Sequence, residues 1–578
     1  MGFQVCVFID SSGKIPNGFM QGAVTDYGDY HQCLDIKIPR ERSSHEVSEV
    51  VSGKYCLTQI TRITRSNSSQ DASQKNSMRK NSATIRLGIC VPSSCKPIEI
   101  QIILDKILKS SKLKTKISSR CYTQSKTWNL NYNQKLALIV CSVLILLVSI
   151  ATAIEKRNHS LASSGFYTQD CLMIKVLRAW SLNSAYSKIF NYKSKRDELL
   201  TLHGIRVLTI LWMLICNTYL FGIHTNTIWT LSSLLSLSEF TKKLFAQPLL
   251  NVWILADSFF FLSGLLIVYV EIPLFSTENG KINFIRCLFH RALRLWSPII
   301  GFFVLKWVFS IALKGPFLLD EDVNEIIGDK CENIFNNLLF VSNWMHSPLT
   351  CLNNFWFVSV EMQIYVGIYM VVIVLYHHPK AGLCLNGLIL FISIVSSAFV
   401  AYYYKLKPSI LRTNMDQSEY LQHLSLIQHA TFQHLCSSSV GVFTGFLLLN
   451  KPFLLKNTNK VVIALLWMLF SSFNAVVVFG TYFWNNDYKM TLTYSVLYGS
   501  LHRVFWCLGL SWISYACVTR HGGVNVVNCR LDKTCDQNTS TEAMTEVREY
   551  NNNNNNGGEK QESDNSPITT PTSIVFKV

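Results

Sequence analysis

Charge is what this sequence has least of. Only 15% of its 578 residues are Asp, Glu, Lys or Arg, where a soluble protein carries about a quarter. Mean hydropathy is positive, +0.22. That deficit excludes an ordinary soluble enzyme. The chain also lacks a Gly-rich phosphate loop, a zinc-ligand spacing and an RNA-binding signature. Its 53 Lys+Arg against 36 Asp+Glu therefore give no reason to expect nucleic acid or a metal site. A signal peptide is missing too. The opening run Met1–Phe8 meets Asp10 before a signal's apolar core could form, so the start is expected to be incomplete or to leave targeting to the first membrane span.

What is present is a series of apolar runs of about 20 residues, the length that crosses a bilayer core. Nine are expected, at 136–154, 204–223, 247–270, 296–314, 355–376, 383–403, 435–450, 461–483 and 498–518. The fold class that follows is an all-α polytopic membrane protein with a small disulfide-rich N-terminal extracellular domain. Five regions are expected: a cysteine-rich domain at 1–134, a first transmembrane helix at 135–155 and a basic cytoplasmic loop at 156–202. A multi-pass membrane domain at 203–525 and a disordered Asn-rich tail at 526–578 complete them. Lys and Arg concentrate in 155–203 and 271–295, which places those loops inside and the N-terminal domain outside or lumenal. The expected location is an integral protein of the plasma membrane or an endomembrane.

Six cysteines precede the first span: Cys6, Cys33, Cys56, Cys90, Cys95 and Cys121. An even number in a lumenal domain reads as a disulfide framework, with its connectivity left open. Cys331 and Cys351 fall in one outer loop and form a further candidate bridge. Asn67-Ser68-Ser69 is a glycosylation sequon, usable if this side is lumenal.

Ionisable groups within or beside the spans are the candidate functional residues, because burying charge in lipid is costly. His203 and Arg206 open the second span on one helix face, where an arginine can also simply snorkel to headgroups. Asp257 lies inside the third span and needs a partner or a water-filled cavity. Arg291 and Arg294 precede the fourth span and share a face suited to phosphate or anionic lipid headgroups. Glu361, with Gln363 and Tyr365, makes the fifth span too polar for lipid and is expected to line a cavity. Arg503 follows His502 into the ninth span, whereas His434 is expected only to mark a span edge.

Several ordered segments together resemble the nose-resistant-to-fluoxetine family. In the N-terminal part these are Asp10–Gly18, Gly28–Leu34, Gly53–Cys56 and Leu87–Cys95. In the membrane part they are His203–Arg206, Phe259–Gly264, His290–Leu295, Trp356–Tyr365 and Arg503 with Gly522-Gly523. That family joins an extracellular cysteine-rich domain to an acyltransferase-3 membrane domain. The resemblance implies transfer of an acyl group from a cytoplasmic donor such as acyl-CoA, a co-substrate rather than a bound cofactor, to an unknown acceptor. Arg206, His203 and Glu361 are then catalytic candidates, and Arg291, Arg294, Asp257, Ser263 and Arg503 substrate-binding ones. The family pattern expects a proton-transferring histidine about three turns beyond Arg206, where this chain has Asn217. An amide cannot relay a proton as imidazole does, so catalysis is expected to be impaired. The resemblance also implies truncation at both ends. The competing class is a non-enzymatic protein for lipid transport, or one binding a small-molecule or lipid ligand, with membrane lipids as partners; oligomeric state is left open.

Overall fold

One long strand organises the N-terminal domain. β1 (Thr25–Asp26), β2 (Lys37–Pro39), β3 (Val50–Arg62), β4 (Ile85–Pro92), β5 (Leu113–Ile117) and β6 (Tyr122–Thr123) form a six-stranded sheet. β3 pairs antiparallel with β4, β2, β5 and β6, while β1 adds to β4 in parallel. Tyr55 stands opposite Cys90 and Cys56 opposite Ile89. Because side chains alternate along a strand, Tyr55, Leu57 and Cys90 share one face and Cys56 takes the other. Three helices flank the sheet: α1 (Gly2–Asp10), α2 (Tyr30–Asp35) and α3 (Pro97–Leu108). Local sequence starts two of them. Asp29 accepts from the Gln32 amide at 2.9 Å to cap α2. Pro97 stands in the first turn of α3, where Glu99 accepts from the Lys96 amide at 3.0 Å, which fits the preferences of a helix N-terminus.

The computed structural model describes residues 2–17, 19, 25–39, 50–62, 85–118, 121–124, 130–163, 176, 178–190, 200–224, 239–277, 284–312, 315–319, 334–344, 355–408, 417–450, 455, 458–486, 488 and 491–519. The expected sequon at Asn67, the Cys331–Cys351 bridge and the Asn-rich tail lie outside the described residues. The chain divides into one unit of residues 1–146 and 196–519 and a second of 147–195 and 520–578.

The rest is helical. The main elements are α4 (Tyr132–Ser163), α5 (Leu182–Phe190), α6 (Leu200–His224), α7 (Leu255–Thr277), α8 (Phe284–Ala312), α9 (Trp356–His377), α10 (Pro379–Tyr403), α11 (Thr431–Asn450), α12 (Lys460–Phe479) and α13 (Leu492–Val518). Among the described residues, eight helical segments are long and apolar enough to cross a membrane. The ninth expected span coincides with α13, which has the length, 27 residues, but a more polar composition. The protein is thus a polytopic membrane protein, mostly helical, with a sheet in its N-terminal domain. One expected boundary moves. α8 begins at Phe284, so Arg286, Arg291 and Arg294 lie within the helix rather than ahead of it. A hydropathy window ends at such charges, but backbone hydrogen bonding does not, and long basic side chains tolerate a helix end near the headgroups.

In the second unit, α5 meets the late part of α4: the Leu182 amide donates to Thr152 Oγ1 at 3.1 Å, and Ser181 Oγ donates to Glu155. In the first unit, α7 lies against α11 almost backbone to backbone. A Cβ on Gly441 would stand 2.1 Å from the Phe261 carbonyl oxygen, and one on Gly264 2.3 Å from that of Ser438. Small residues at a membrane helix interface allow this approach. Phe261, Leu262, Leu265 and Val440 pack with Trp506, Leu510 and Trp512 of α13 in one core. Phe260 and Val268 join Ile364, Ile368 and Tyr369 of α9 in a second. Beyond α8, Pro316–Leu319 folds Leu319 into the sheet domain among Tyr30, Tyr55 and Leu57. That contact identifies the end of the bundle at which α8 finishes as the end carrying the N-terminal domain.

Two disulfides close the sheet domain, Cys33–Cys90 and Cys56–Cys121. They lie on opposite faces, as the strand alternation requires. The expectation of pairing for Cys6 and Cys95 is corrected: both are free. Cys6 is exposed on α1, whose Val7 and Phe8 pack on the Tyr55 face, whereas Cys95 packs with Cys56 on the other. The sheet stands between them.

Candidate functional site

Two polar clusters interrupt the apolar interior. The first is centred on Asp257, in the first turn of α7 at the end bearing the N-terminal domain. Its side chain is 1% exposed. Oδ1 accepts from Ser437 Oγ at 2.6 Å and meets His434 Nδ1 at 2.9 Å; Oδ2 faces Arg503 Nε at 3.3 Å. A carboxylate here requires such partners, because an unpaired charge away from water is very costly. α11 supplies His434 and Ser437 on one face, three residues apart, and α13 supplies Arg503. Arg503 also donates through Nη2 to the Ile427 carbonyl at 3.2 Å. His434 Nε2 lies 2.9 Å from the Gln428 carbonyl. Both ring nitrogens of His434 are therefore engaged, and neither is offered to a ligand. Trp356 stacks on His434 and His429 at 5.6 and 5.4 Å between ring centroids, and Phe260 closes the His434 ring from another side at 5.0 Å.

The second cluster lies deeper. Ser263 is six residues beyond Asp257 on α7, about 9 Å along the axis. Arg291 of α8 donates to Ser263 Oγ at 2.9 Å and is ion-paired with Glu361 of α9. Its guanidinium sits 4.0 Å from the centroid of the Tyr365 ring, a cation–π arrangement. Arg206 of α6 feels the charges of Arg294, Glu361 and Arg291. Of these guanidinium groups, that of Arg291 is the one in contact with the Glu361 carboxylate, and Arg294 is exposed on α8. Arg291 Nε and Glu361 Oε2 are buried without a hydrogen-bond partner.

The structure therefore brings Arg291 into contact with Ser263 and Glu361, with Arg206 within electrostatic range of Glu361, Arg291 and Arg294, and separately Asp257 into contact with Arg503. His203 is exposed on α6, and so is Asn217. The buried stripe of that helix runs through Leu202, Thr209 and Cys216; Arg206 and Asn217 flank it. On α9, Glu361, Gln363 and Tyr365 all meet protein partners: Glu361 pairs with Arg291, whose guanidinium lies over the Tyr365 ring. Gln363 donates to the Phe340 carbonyl at 2.8 Å and to Asn343 Oδ1 at 2.9 Å, so its polarity is satisfied by protein. The residue that sequence reasoning missed is His434. It is fully buried and does not mark a span edge. Its signal was the run Gln433-His434-Leu435-Cys436-Ser437-Ser438-Ser439, too many polar groups in one span to face lipid.

A cavity of about 60 Å³ adjoins the first cluster. Asp257, Arg503, His502, His423, Lys407 and Trp253 are among its lining residues. No group of three or more His, Cys, Asp or Glu that could hold a metal occurs among the described residues.

Comparison with known proteins bears on both domains. Residues 5–104 match the family model described as "Nose resistant-to-fluoxetine protein, N-terminal domain". The chain is 22% identical over 576 residues to "Nose resistant to fluoxetine protein 6" of Caenorhabditis elegans, a match covering 89% of this chain and 68% of that protein. No solved structure matches. Together they bear out the likeness read from the ordered segments, in the sheet domain and over most of the chain.

Proposed function

We propose, from the premise that this chain is a membrane homologue of the nose-resistant-to-fluoxetine family, that it binds a phosphate-bearing acyl donor of the acyl-CoA class inside the bundle. As an acyltransferase-3-like protein it transfers that acyl group slowly. The observation that carries this reading is the arginine cluster. Arg206, Arg291 and Arg294 outnumber Glu361, and an excess of cations within apolar helices is relieved by an anion. Guanidinium groups meet phosphate oxygens in pairs of parallel hydrogen bonds, which ammonium groups cannot do. Slow transfer follows from Asn217. A general acid–base group contributes about 10²–10⁴-fold in rate, and an exposed amide supplies none of it.

The mutual clamping of the charged groups favours a second reading, a non-enzymatic lipid or small-molecule carrier. Asp257 is held by three partners, and Arg291 by Ser263, Glu361 and Tyr365. Such groups position a bound molecule without needing to react. In either reading the N-terminal domain faces outward or into a lumen, from the Lys/Arg asymmetry, in the plasma membrane or an endomembrane.

The test uses the full chain in lipid nanodiscs with palmitoyl-CoA. Equilibrium binding should weaken when Arg291 and Arg294 are both replaced by Lys, which keeps charge and removes the planar fork. Unchanged binding in that double variant would overturn the site. Release of free CoA thiol, measured separately, should be slow in the wild type and faster in Asn217→His. Binding without any thiol release in either form selects the carrier.

A further inference from the structure

The cavity beside Asp257 is not part of the arginine cluster. It lies at the opposite end of that stretch of α7, and its lining has a different chemistry. The charges around it are already compensated in pairs: Asp257 with Arg503 at 3.3 Å, and Lys407 with Glu419 at 2.9 Å. What remains unsatisfied is neutral hydrogen-bonding capacity. His423, 4% exposed, engages the Lys407 carbonyl through Nε2 at 2.9 Å. Its Nε2 is therefore the donor, and Nδ1 is a buried acceptor with no partner. His502 engages the Tyr498 carbonyl through Nδ1 at 2.8 Å and stacks on the Tyr498 ring. Its Nε2 is therefore an acceptor, and no hydrogen bond engages it. Arg503, 3% exposed, has Nη1 buried without a partner.

Two free imidazole acceptors and one free guanidinium donor line a single cavity. His423 Nδ1 and Arg503 Nη1 are buried orphans, which each cost roughly 1–3 kcal/mol, and the half-buried His502 adds a second acceptor beside them, so this arrangement calls for an occupant. A carboxylate or phosphate brings acceptors only and would face two imidazole lone pairs and the Asp257 carboxylate. An ammonium brings donors only and would face Arg503. A hydroxyl both donates and accepts, and two acceptors call for two of them. We propose that this cavity is a binding site for a neutral polyol, such as free glycerol or the glycerol group of a lipid, with His423 and His502 accepting from its hydroxyls and Arg503 donating to them. The cavity volume of about 60 Å³ admits the head of such a molecule. It also admits a pair of water molecules, since one needs about 10–15 Å³ of that measure.

Free imidazole nitrogens react with diethyl pyrocarbonate, so occupancy can be read residue by residue. The full wild-type chain in detergent is carbethoxylated with glycerol, monoolein, propan-1-ol or propionate present, and His423 and His502 are followed by mass spectrometry. His31 and His203, exposed and outside the cavity, serve as internal controls. The expected result is several-fold slower modification of His423 and His502 with glycerol or monoolein, less with propan-1-ol, none with propionate, and no change at His31 or His203. Greater protection by monoolein than by glycerol assigns the polyol to a lipid; equal protection assigns it to a free solute. His423→Leu, which removes one acceptor, should reduce protection at His502, whereas His423→Gln should retain it. Rates unchanged by glycerol and by monoolein mean that water alone fills the cavity, and overturn the proposal. So does slowing at all four histidines alike, or protection by propionate equal to that by glycerol.

Discussion

Replacing Asp257 with Ala removes the one carboxylate that His434, Ser437 and Arg503 share, and leaves a guanidinium that is 3% exposed without its counter-charge. Breaking a buried ion pair from one side costs about 3–5 kcal/mol. Ser437→Ala removes only a hydroxyl hydrogen bond of 2.6 Å, and such bonds between membrane helices average about 0.6 and reach at most about 1.7 kcal/mol. The two substitutions should therefore separate clearly. Asp257→Ala is expected to shift the apparent folding equilibrium by roughly two to four decades, Ser437→Ala by about one at most. The protein carries its own reporter, because Cys216, Cys436 and Cys507 are buried and Cys507 Sγ lies 3.9 Å from the Asp257 carbonyl oxygen. A thiol-reactive dye followed during heating in detergent reads their release. Joining Asp257→Asn to Arg503→Gln should recover part of the loss, since the double variant leaves no lone charge, and a double-mutant cycle measures that coupling. Equal midpoints for Asp257→Ala and Ser437→Ala, or strict additivity in the cycle, would refute a buried charge hub here.

Gly441→Leu should prevent assembly of the bundle, because its Cβ alone would fall 2.1 Å from the Phe261 carbonyl oxygen; loss of the monodisperse peak in size-exclusion chromatography checks this. Peptide mapping under alkylating conditions should recover Cys33–Cys90 and Cys56–Cys121 with Cys6 and Cys95 alkylated, and removing either bridge should cost about 2–5 kcal/mol. Asp105 accepts from the Thr115 hydroxyl and amide, both at 2.7 Å, and these bonds hold its carboxyl below the usual carboxylate range. Its folded-state value is thus depressed, so the stability it contributes is present above about pH 4 and is lost as pH falls through the lowered value. Asp105→Asn should flatten the acid limb of the N-terminal domain's unfolding, read by circular dichroism of the full chain.

Much of this molecule is legible in one dimension because lipid imposes a one-dimensional rule. A span must be about 20 apolar residues and must satisfy its own backbone as a helix. Nine runs of that kind are expected, and among the described residues a helix stands at each, eight of them apolar enough to cross a membrane. The cysteine-rich segment ahead of Tyr132 is equally visible as a domain apart. Composition could not say which cysteines pair. That depends on which face of β3 and β4 each one occupies, a matter of register, and register puts Cys90 beside Tyr55 while turning Cys56 away.

The two polar clusters are of the second kind throughout. Asp257, Arg291, Arg503 and Glu361 stand out singly, because any charge within an apolar run does. Nothing in their spacing along the chain says that Arg291 meets Glu361 70 residues later, or that Asp257 meets His434 177 residues later. Those contacts are set by how helices cross, and here the crossing of α7 with α11 depends on two glycines that let the backbones touch. His434 was passed over because a lone histidine near a span edge is usually held at the headgroups. Only packing, which encloses its ring between Trp356 and Phe260, makes it the partner of a buried carboxylate. Sequence periodicity determines which residues must leave water; tertiary structure alone decides which polar groups meet there, because that choice is made by neighbours distant in the chain.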